Sequence, residues 1–385
     1  MKIHIVKKGE TLSDISKHHG IHEPELMEIN GLSEKKLSIG EELVIIVPTR
    51  VHTAKHGDTI ERICLRYRVR KCDVLAMNPC LSSKKIETNQ RIALKFDERT
   101  NGMAVTNGYI YKGTTLNNLE RTFPYMTYAT FAAVAADERG LHQIFDERVL
   151  LEACKKENKI PLLKIHESFG ERYKNEGAAT SFANEIIELA KSRGYKGLLL
   201  NNLADAEYKS SYVRFLVKLK ELMIGSDLIL LTEENEHSPS EFNEISDASI
   251  LSYTKLWNNV LPSFDEGERK IIADYACNSE SIKSFIELPS FARLGDGFID
   301  IESAKQTARE KSIVTTVDNN TLTASYNTLL GKCIYPTLSN IKAVLELLSE
   351  YGYMGISFDV MRTPRAFLSI YNAMFKTVNY ISPIS

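Results

Sequence analysis

Residues 194–207 read GYKGLLLNNLADAE, and this stretch decides the fold of the larger part of the chain. The short apolar run at residues 198–200 lies between a glycine and an asparagine, which predicts a buried strand over residues 197–201. The segment before it, residues 178–193, has the apolar spacing of an amphipathic helix. A helix that runs directly into a short buried strand is typical of folds with a parallel sheet.

The same alternation of apolar runs and amphipathic stretches continues over residues 103–382. Further helical patterns lie at residues 146–157, 210–223 and 338–351. Eight strand–helix steps within about 280 residues predict an α/β fold, a (β/α)8 TIM barrel, in residues 99–385. Alternation within residues 296–334 predicts a small β insertion before the last unit. The predicted strands are residues 104–110, 128–135, 161–165, 197–201, 227–231, 248–252, 270–275 and 354–358.

Composition is that of an ordinary globular protein. The chain has 385 residues, with 48 basic and 50 acidic side chains and a formal net charge of -2. With a net charge so close to zero, the chain as a whole has no positive electrostatic potential that would attract nucleic acid or an anionic membrane, so we expect neither partner. The start, MKIHIVKKGETLSDIS, alternates instead of forming an apolar core, and no run of about 18 apolar residues follows, so we expect no Sec signal and no membrane span.

Six cysteines occur without C-x-x-C pairs and without histidines at zinc spacing. This pattern predicts no metal site, and no motif indicates a cofactor. Buried free thiols and a disulfide are both compatible with the spacing. The cysteines are Cys64, Cys72, Cys80, Cys154, Cys277 and Cys333.

The N-terminal part contains an internal repeat, because residues 3–48 and 51–96 align with an offset of about 48. Each copy reads as a strand, a glycine turn, two helical segments and a final strand, which predicts two small βααβ domains at residues 1–49 and 50–98. Thr11 is placed to cap the first helix.

The segments KKGETLSDISKHHGI and KHGDTIERICLRYRV resemble the LysM module, a small glycan-binding domain. The resemblance implies a groove for N-acetylglucosamine polymers in each copy, and two weak copies would gain by avidity. Glycine turns expose backbone groups that suit acetamido sugars, although Gly57-Asp58-Thr59 is also ordinary turn and cap chemistry. The implied glycan-binding residues are Gly9, Glu10, Thr11, Leu12, Asn30, Gly31 and Leu32 in the first copy, and Gly57, Asp58, Thr59, Ile60, Asn78 and Pro79 in the second.

Further matching segments run through the barrel: NGYIYKG at 107–113, LLKIHESFGE at 162–171, RGYKG at 193–197 and YGYMGISF at 351–358. With the two repeats in front, the chain resembles LysM-containing spore peptidoglycan glycosidases of the family-18 glycoside hydrolase type, which are similar to spore cortex-fragment-lytic N-acetylglucosaminidases. The resemblance implies working residues at the C-terminal ends of the barrel strands.

Active members of that family carry D-x-x-D-x-D-x-E at the end of the fourth strand. The final glutamate protonates the glycosidic oxygen, and the aspartate before it supports attack by the substrate's own acetamido group. Loss of a positioned acid typically lowers the rate about 10²- to 10⁴-fold. The resemblance therefore implies a degenerate site, because the four positions hold Lys196, Leu199, Asn201 and Leu203.

Other strand ends also depart from the family pattern. The sixth keeps Tyr253 but has Thr254 in place of an aspartate, and the eighth has Asp359 where a tryptophan usually forms the floor of the sugar site. We expect Tyr109, Asn201, Tyr253 and Asp359 to surround the barrel mouth. Trp257 is expected in a loop or wall, and Glu167, Glu171 and Asp274 are expected to be solvated or paired acids at the rim.

The sequence thus predicts a binder of peptidoglycan- or chitin-type N-acetylglucosamine polymers with an inactive barrel, located in the spore coat, cortex or cell envelope, with coat or cortex proteins as further partners. One alternative is an active glycosidase whose acid has moved to Glu207, because Asp205-Ala206-Glu207 reproduces the D-x-E ending four residues late. Another is a structural coat protein tethered by its LysM repeats.

Overall fold

The computed structural model of the chain describes residues 1–78, 81, 86–96, 101–167, 170–201, 208–234, 238, 241–252, 266–278 and 283–378. The first repeat has two antiparallel strands, Lys2–Ile5 and Glu42–Ile45, which enclose helices Leu12–His19 and Glu23–Asn30. Thr11 caps the first helix, since its hydroxyl accepts the backbone N–H of Asp14. The cap satisfies a donor that the helix itself leaves unpaired.

The second repeat has the same order of elements. Strands Arg50–Thr53 and Arg91–Lys95 pair antiparallel around helices Ile60–Tyr67 and Lys71–Met77. Thr59 caps its first helix as Thr11 does in the first repeat. The predicted pair of βααβ domains is confirmed.

A closed barrel of eight parallel strands follows. The first strand pairs with both the second and the eighth, which closes the sheet. This confirms the predicted TIM barrel. Its strands are Met103–Ile110, Tyr128–Asp137, Ile160–Glu167, Gly197–Leu200, Ile229–Glu234, Ala248–Leu251, Ser284–Glu287 and Gly355–Asp359. Its helices are Leu116–Thr122, Arg148–Lys156, Glu176–Arg193, Lys209–Met223, Glu241–Ile245, Glu266–Asn278, Leu338–Glu350 and Arg365–Met374.

The fourth strand explains the two glycines before it. Gly194 ends the helix Glu176–Arg193 in the left-handed conformation, φ 78°, which glycine adopts without a Cβ penalty. Gly197 starts the strand, and a Cβ there would lie 2.5 Å from the carbonyl oxygen of Ile229 on the neighbouring strand. The three leucines that follow are fully buried.

The seventh strand differs from the prediction. Residues 270–275 belong to the helix Glu266–Asn278, and the strand is Ser284–Glu287, whose four residues are all buried. A run of three or four apolar residues does not by itself distinguish a strand from the buried face of a helix. Asp274 is therefore an exposed helix residue and does not end a barrel strand, contrary to expectation.

The predicted β insertion is present and starts a few residues earlier than expected. It is a five-stranded antiparallel sheet with one helix, Ile301–Glu310, packed against it. Its strands are Phe291–Leu294, Gly297–Asp300, Thr316–Asp318, Thr323–Thr328 and Gly331–Pro336. Short strands at Gly140–Gln143 and Lys376–Thr377 extend the barrel sheet at the second and first strands.

The barrel is stabilised by two apolar cores, one between the strands and the helices and one inside the barrel. Alternate strand residues, among them Leu163, Leu198 and Leu230, face the helices. The others fill the inside of the barrel, where Leu162, Leu199, Leu231 and Phe285 form one cluster. Cys64, Cys154 and Cys333 are buried free thiols. No helix among the described residues is long and apolar enough to cross a bilayer.

Candidate functional site

The fourth strand places a leucine inside the barrel where the family resemblance implies a carboxylate. Leu199 pairs in register with Lys164 on the third strand and Leu231 on the fifth, and none of its surface is exposed. Asn201, two residues on, is buried, and its backbone carbonyl accepts the hydroxyl of Tyr212 at 2.8 Å. An alkyl side chain can neither donate a proton nor stabilise a developing positive charge.

Charged groups nevertheless occupy the barrel interior beside Leu199. Lys164 and Glu233, at the end of the fifth strand, form a buried ion pair. Tyr109 donates its hydroxyl to Glu233 at 2.7 Å, and the Lys164 ammonium lies 4.9 Å from the Tyr109 ring centroid. Burial and the Glu233 carboxylate raise the pKa of Tyr109 well above its ordinary value, so its hydroxyl stays a donor.

A second carboxyl, Glu287, ends the seventh strand in the same interior. Ser252 donates to it at 2.6 Å. Burial, reinforced by the nearby charge of Glu233, raises the pKa of Glu287 to about 7, although Ser252 and Lys164 act in the opposite direction. A carboxyl with such a pKa holds its proton in a large fraction of molecules near neutral pH, as a general acid must.

Glu234 follows Glu233 and therefore points out of the barrel, towards the helix Glu266–Asn278. It accepts hydrogen bonds from Thr232 at 2.9 Å and from Tyr275 at 2.7 Å. Burial raises the pKa of Glu234 to about 7. The fifth and seventh strands thus supply three buried carboxyls, of which two face the interior.

Asp359 ends the eighth strand and organises the turn that follows it. Its carboxylate accepts the backbone N–H groups of Met361 at 2.8 Å and Arg362 at 2.9 Å, and the Arg362 guanidinium donates to it at 2.8 Å. The position where the family resemblance implies an aromatic floor therefore holds a buried carboxylate that is engaged in hydrogen bonds.

The remaining sequence-predicted barrel residues are distributed as follows. Tyr109 is inside the barrel, Lys196 is exposed before the fourth strand, and Glu171 accepts hydrogen bonds from Lys174 and Tyr208. Glu167 ends the third strand. Leu203, Asp205, Glu207, Tyr253, Thr254 and Trp257 lie outside the described residues.

Sequence reasoning missed Lys164, Glu233 and Glu287. Glu233 comes two residues after the predicted fifth strand, so a strand extended past Leu231 would have included it. Glu287 was missed because the seventh strand was placed on a helix. Lys164 was visible as a lysine within an apolar run, which signals a buried partner.

In the first repeat, one side of the expected groove is packed against the barrel. Gly31 follows the helix Glu23–Asn30, and a Cβ on it would lie 2.8 Å from the Cβ of Arg365. Ser369 donates to the carbonyl of Ile29 at 2.7 Å from the same barrel helix. Leu12 is 1% exposed and Leu32 is buried, so the apolar walls are largely covered.

In the second repeat one wall residue is more accessible than its counterpart. Ile60 is half-buried, whereas its counterpart Leu12 is buried; the glycines of the two turns do not differ, because nothing lies within 4 Å of a Cβ built on Gly9 or on Gly57. Ile60 and Leu81 line a cavity of about 550 Å³ that the barrel closes on its other side. The barrel side includes Leu116, Glu120, Phe123, Pro124, Lys156 and Lys159. Pro79 lies outside the described residues.

One expected glycan-binding residue in each repeat, Asn30 in the first and Asn78 in the second, instead uses its side chain to hold the domain together. The amide nitrogen of Asn30 donates to the carbonyls of Leu26 and Val44, each at 2.9 Å, and its oxygen accepts the N–H of Val44 at 2.7 Å. Asn78 makes the same three bonds to Val74 and Ala93. These asparagines fasten the second helix to the final strand.

The acids of the two turns are also engaged. Glu10 accepts the N–H of Lys7 at 2.7 Å and contacts His4 at 3.0 Å, while Asp58 accepts the N–H of Lys55 at 2.8 Å and contacts His52 at 2.8 Å. A glycan at these turns would therefore meet backbone groups and apolar walls instead of free carboxylates.

Residues 4–45 and 52–95 match the LysM domain family, so each repeat is a LysM domain. The chain thus joins two LysM domains to a closed (β/α)8 barrel.

The whole chain has the fold of the spore cortex-lytic enzyme SleL of Bacillus cereus, with a TM-score of 0.74 at 16% identity over 98% of this chain and 99% of that one. The barrel also matches a chitinase of Chromobacterium violaceum ATCC 12472, with a TM-score of 0.60 at 13% identity over 70% of this chain and 98% of that one.

At the sequence level, the chain is 23% identical over 245 residues to YdhD of Bacillus subtilis (strain 168), a candidate sporulation-specific glycosylase. The match covers 60% of this chain and 57% of that protein, so the chain spans little more than half the length of that relative.

Proposed function

We propose that the protein binds N-acetylglucosamine polymers of the spore or cell envelope and that its barrel does not cleave them by the substrate-assisted route. The observation that carries the proposal is the position of Leu199 inside the barrel, next to the Lys164–Glu233 ion pair. In the family pattern the aspartate that supports the acetamido group in attack lies two residues further on, where this chain has Asn201, and a neutral amide stabilises the developing positive charge poorly. The spore location rests on the names of the relatives, which refer to sporulation and to spore cortex lysis.

The second LysM domain is the principal glycan contact in this proposal. Its wall residue Ile60 is accessible, whereas its counterpart Leu12 is covered. The adjoining cavity of about 550 Å³ is within the size range of sugar and cofactor sites and has mixed apolar and charged lining. A glycan chain that leaves the LysM groove would continue along the barrel surface formed by Leu116, Glu120 and Lys156.

The experiment is a pelleting assay of the full chain with chitin and with purified peptidoglycan. Ile60→Asp removes an apolar wall and should lower the affinity for both polymers about tenfold, which corresponds to about 1.4 kcal/mol. Ile224→Asp is the matched control, because Ile224 is 81% exposed on the barrel and lines neither LysM domain. Equal binding by both variants and the unmodified chain would refute the role of the second domain.

Hydrolysis is tested on the same polymers. We expect no new reducing ends and no released muropeptides at micromolar protein over a day. The relocated acid at Glu207 is tested in parallel, since turnover that disappears in Glu207→Gln would contradict the proposal.

A second candidate function is a glycosidase whose proton donor is Glu287. It is favoured by one observation: Glu287 is a buried interior carboxyl at a strand end, held by Ser252 and with a pKa of about 7. If turnover occurs through this residue, Glu287→Gln should lower it about 10²- to 10⁴-fold, and the rate should fall as the pH rises above 7 because the donor loses its proton. Glu234→Gln is the matched control, because Glu234 has the same raised pKa but faces away from the interior.

A further inference from the structure

A basic cleft lies between the second LysM domain and the C-terminal helix of the barrel. Its volume is about 670 Å³, and five cationic side chains and one carboxylate line it among the described residues. Apolar side chains, including Val69, Met77 and Leu94, line the rest of it. The charged residues are Arg50, Arg68, Arg70, Lys95, Lys376 and Asp73.

The cleft is separate from the LysM groove. Arg50 pairs in register with Lys95 at one end of the two-stranded sheet, whereas the groove adjoins the other end, where Thr53 pairs with Arg91. Two sites therefore lie at opposite ends of one small domain.

Among the described residues, the one carboxylate that lines the cleft is already paired with one of the cations. Asp73 is bound by Arg70 through two short hydrogen bonds, at 2.6 and 2.8 Å. Arg50, Arg68 and Lys376 are exposed around the opening. Because the whole chain has a net charge of -2, this concentration of positive charge is a local feature.

The first LysM domain shows that the fold does not require these cations. Position 68 corresponds to Gly20, which ends the first helix with φ 66°, and position 95 corresponds to Ile46, which is buried. Arg68 adopts the same left-handed backbone, φ 53°, although a side chain with a Cβ is disfavoured there.

We propose that this cleft binds carboxylate groups of peptidoglycan, those of its peptides and of lactyl groups that carry no peptide, while the LysM groove of the same domain holds the N-acetylglucosamine units. The inference rests on the proposed glycan-binding function and specifies its substrate class, because chitin has the same sugar without carboxylates. Arginine donates paired hydrogen bonds to a carboxylate, and the apolar lining suits the methyl groups of alanine-containing peptides. Once one end of the domain has bound the polymer, the contact at the other end becomes intramolecular, so the two contacts together would raise the overall affinity.

The test is a pelleting assay of the full chain with three polymers: peptidoglycan freed of teichoic acid by hydrofluoric acid, the same material with its carboxylates amidated, and chitin. Arg50→Glu/Arg68→Glu should lower affinity for the first polymer at least about tenfold and change chitin affinity less than about twofold. Amidation should have the same effect on the unmodified chain, as should about 1 M NaCl, where the Debye length is about 3 Å.

Lys311→Glu/Lys332→Glu is the matched control, with two exposed cations reversed outside the cleft. Arg68→Gly is a second variant that separates lost binding from lost folding. Glycine adopts the left-handed backbone at this position without strain, so the Tm should rise while peptidoglycan binding weakens. Peptidoglycan affinity that survives both charge reversal and amidation would overturn the proposal, as would an equal loss on chitin. Retained chitin binding separates failure of the basic cleft from failure of the glycan-binding function, which would abolish binding to both polymers.

Discussion

The two LysM domains share one fold but differ in what covers them. In the first, Glu41 is 3% exposed and accepts hydrogen bonds from Arg309 of the β insertion, and Ser339 donates to Glu42. In the second, the contacts to the barrel include the Tyr125 hydroxyl on the carbonyl of Ala76, while open clefts lie on either side. Docking therefore buries charged contacts on the first domain and leaves clefts beside the second.

The charge network of the first domain is the clearest sign of this difference. Burial alone would raise the pKa of Glu41, but Lys305 and Arg309 together hold it below its ordinary value. Burial lowers the pKa of Arg309, but the hydrogen bonds and the charge of Glu41 raise it, and the overall pKa is above the ordinary value. The carboxylate and its partners are thus stable only as a group.

The largest expected effect is on stability. Glu41→Ala leaves Lys305 buried without this carboxylate and leaves Arg309 with Glu302 as its remaining carboxylate, and it should lower the free energy of unfolding by about 3–5 kcal/mol. Gln90 occupies the same position in the second domain and makes the same local turn bond, accepting the N–H of Glu87 at 3.0 Å as Glu41 accepts that of Ser38 at 3.3 Å. Gln90→Ala should cost about 1 kcal/mol. Urea denaturation followed by circular dichroism measures both, and equal losses would contradict the asymmetry.

An intermediate effect is expected at the two asparagines. Asn30→Ala and Asn78→Ala remove identical bonds and should each cost about 2–3 kcal/mol, because buried backbone groups lose their partners. Their consequences should spread differently. Hydrogen exchange should increase in the barrel helix Arg365–Met374 for both variants, since that helix packs on both domains, and also at Phe123–Tyr125 for Asn78→Ala, since that segment packs on the helix Lys71–Met77. Purely local changes in both variants would show that neither domain is coupled to the barrel.

The smallest effect concerns the two turn acids, where the domains should behave alike. Backbone hydrogen bonds from Lys7 and Lys55 lower the pKa values of Glu10 and Asp58 respectively. A lowered folded-state pKa stabilises the fold above the unfolded-state pKa, and this contribution is lost as the pH falls through the folded value. Glu10→Gln and Asp58→Asn should each flatten the fall of Tm between pH 6 and 3 slightly. A steeper fall in either variant would contradict the assignment.

The fold was largely accessible to sequence reasoning because its signals are local. The prediction for the fourth strand differs by one residue from Gly197–Leu200, since glycine and asparagine bound its apolar run. The LysM repeats were visible through their offset. The seventh strand was not, because Ser284–Glu287 has only two apolar residues, whereas the preceding helix has a run of three at Ile271, Ile272 and Ala273.

The site was less accessible. The sequence alone was enough to assign Leu199 to the fourth strand and to show that it replaces a carboxylate of the D-x-x-D-x-D-x-E pattern. That Glu233 and Glu287 face the same interior follows from the register of strands far apart in the chain. The raised pKa of Glu287 and the ion pair of Glu233 both depend on burial, which no local sequence pattern reveals.

By itself, then, the sequence determined the modules, their order, and the absence of carboxylates from the D-x-x-D-x-D-x-E positions, because these depend on residues close together in the chain. Only the tertiary structure decided which carboxyls share the barrel interior and which LysM domain has clefts beside it. The reason is physical: contacts such as Glu41 with Arg309 join residues 268 positions apart, and their energy depends on burial and geometry that arise when the domains pack.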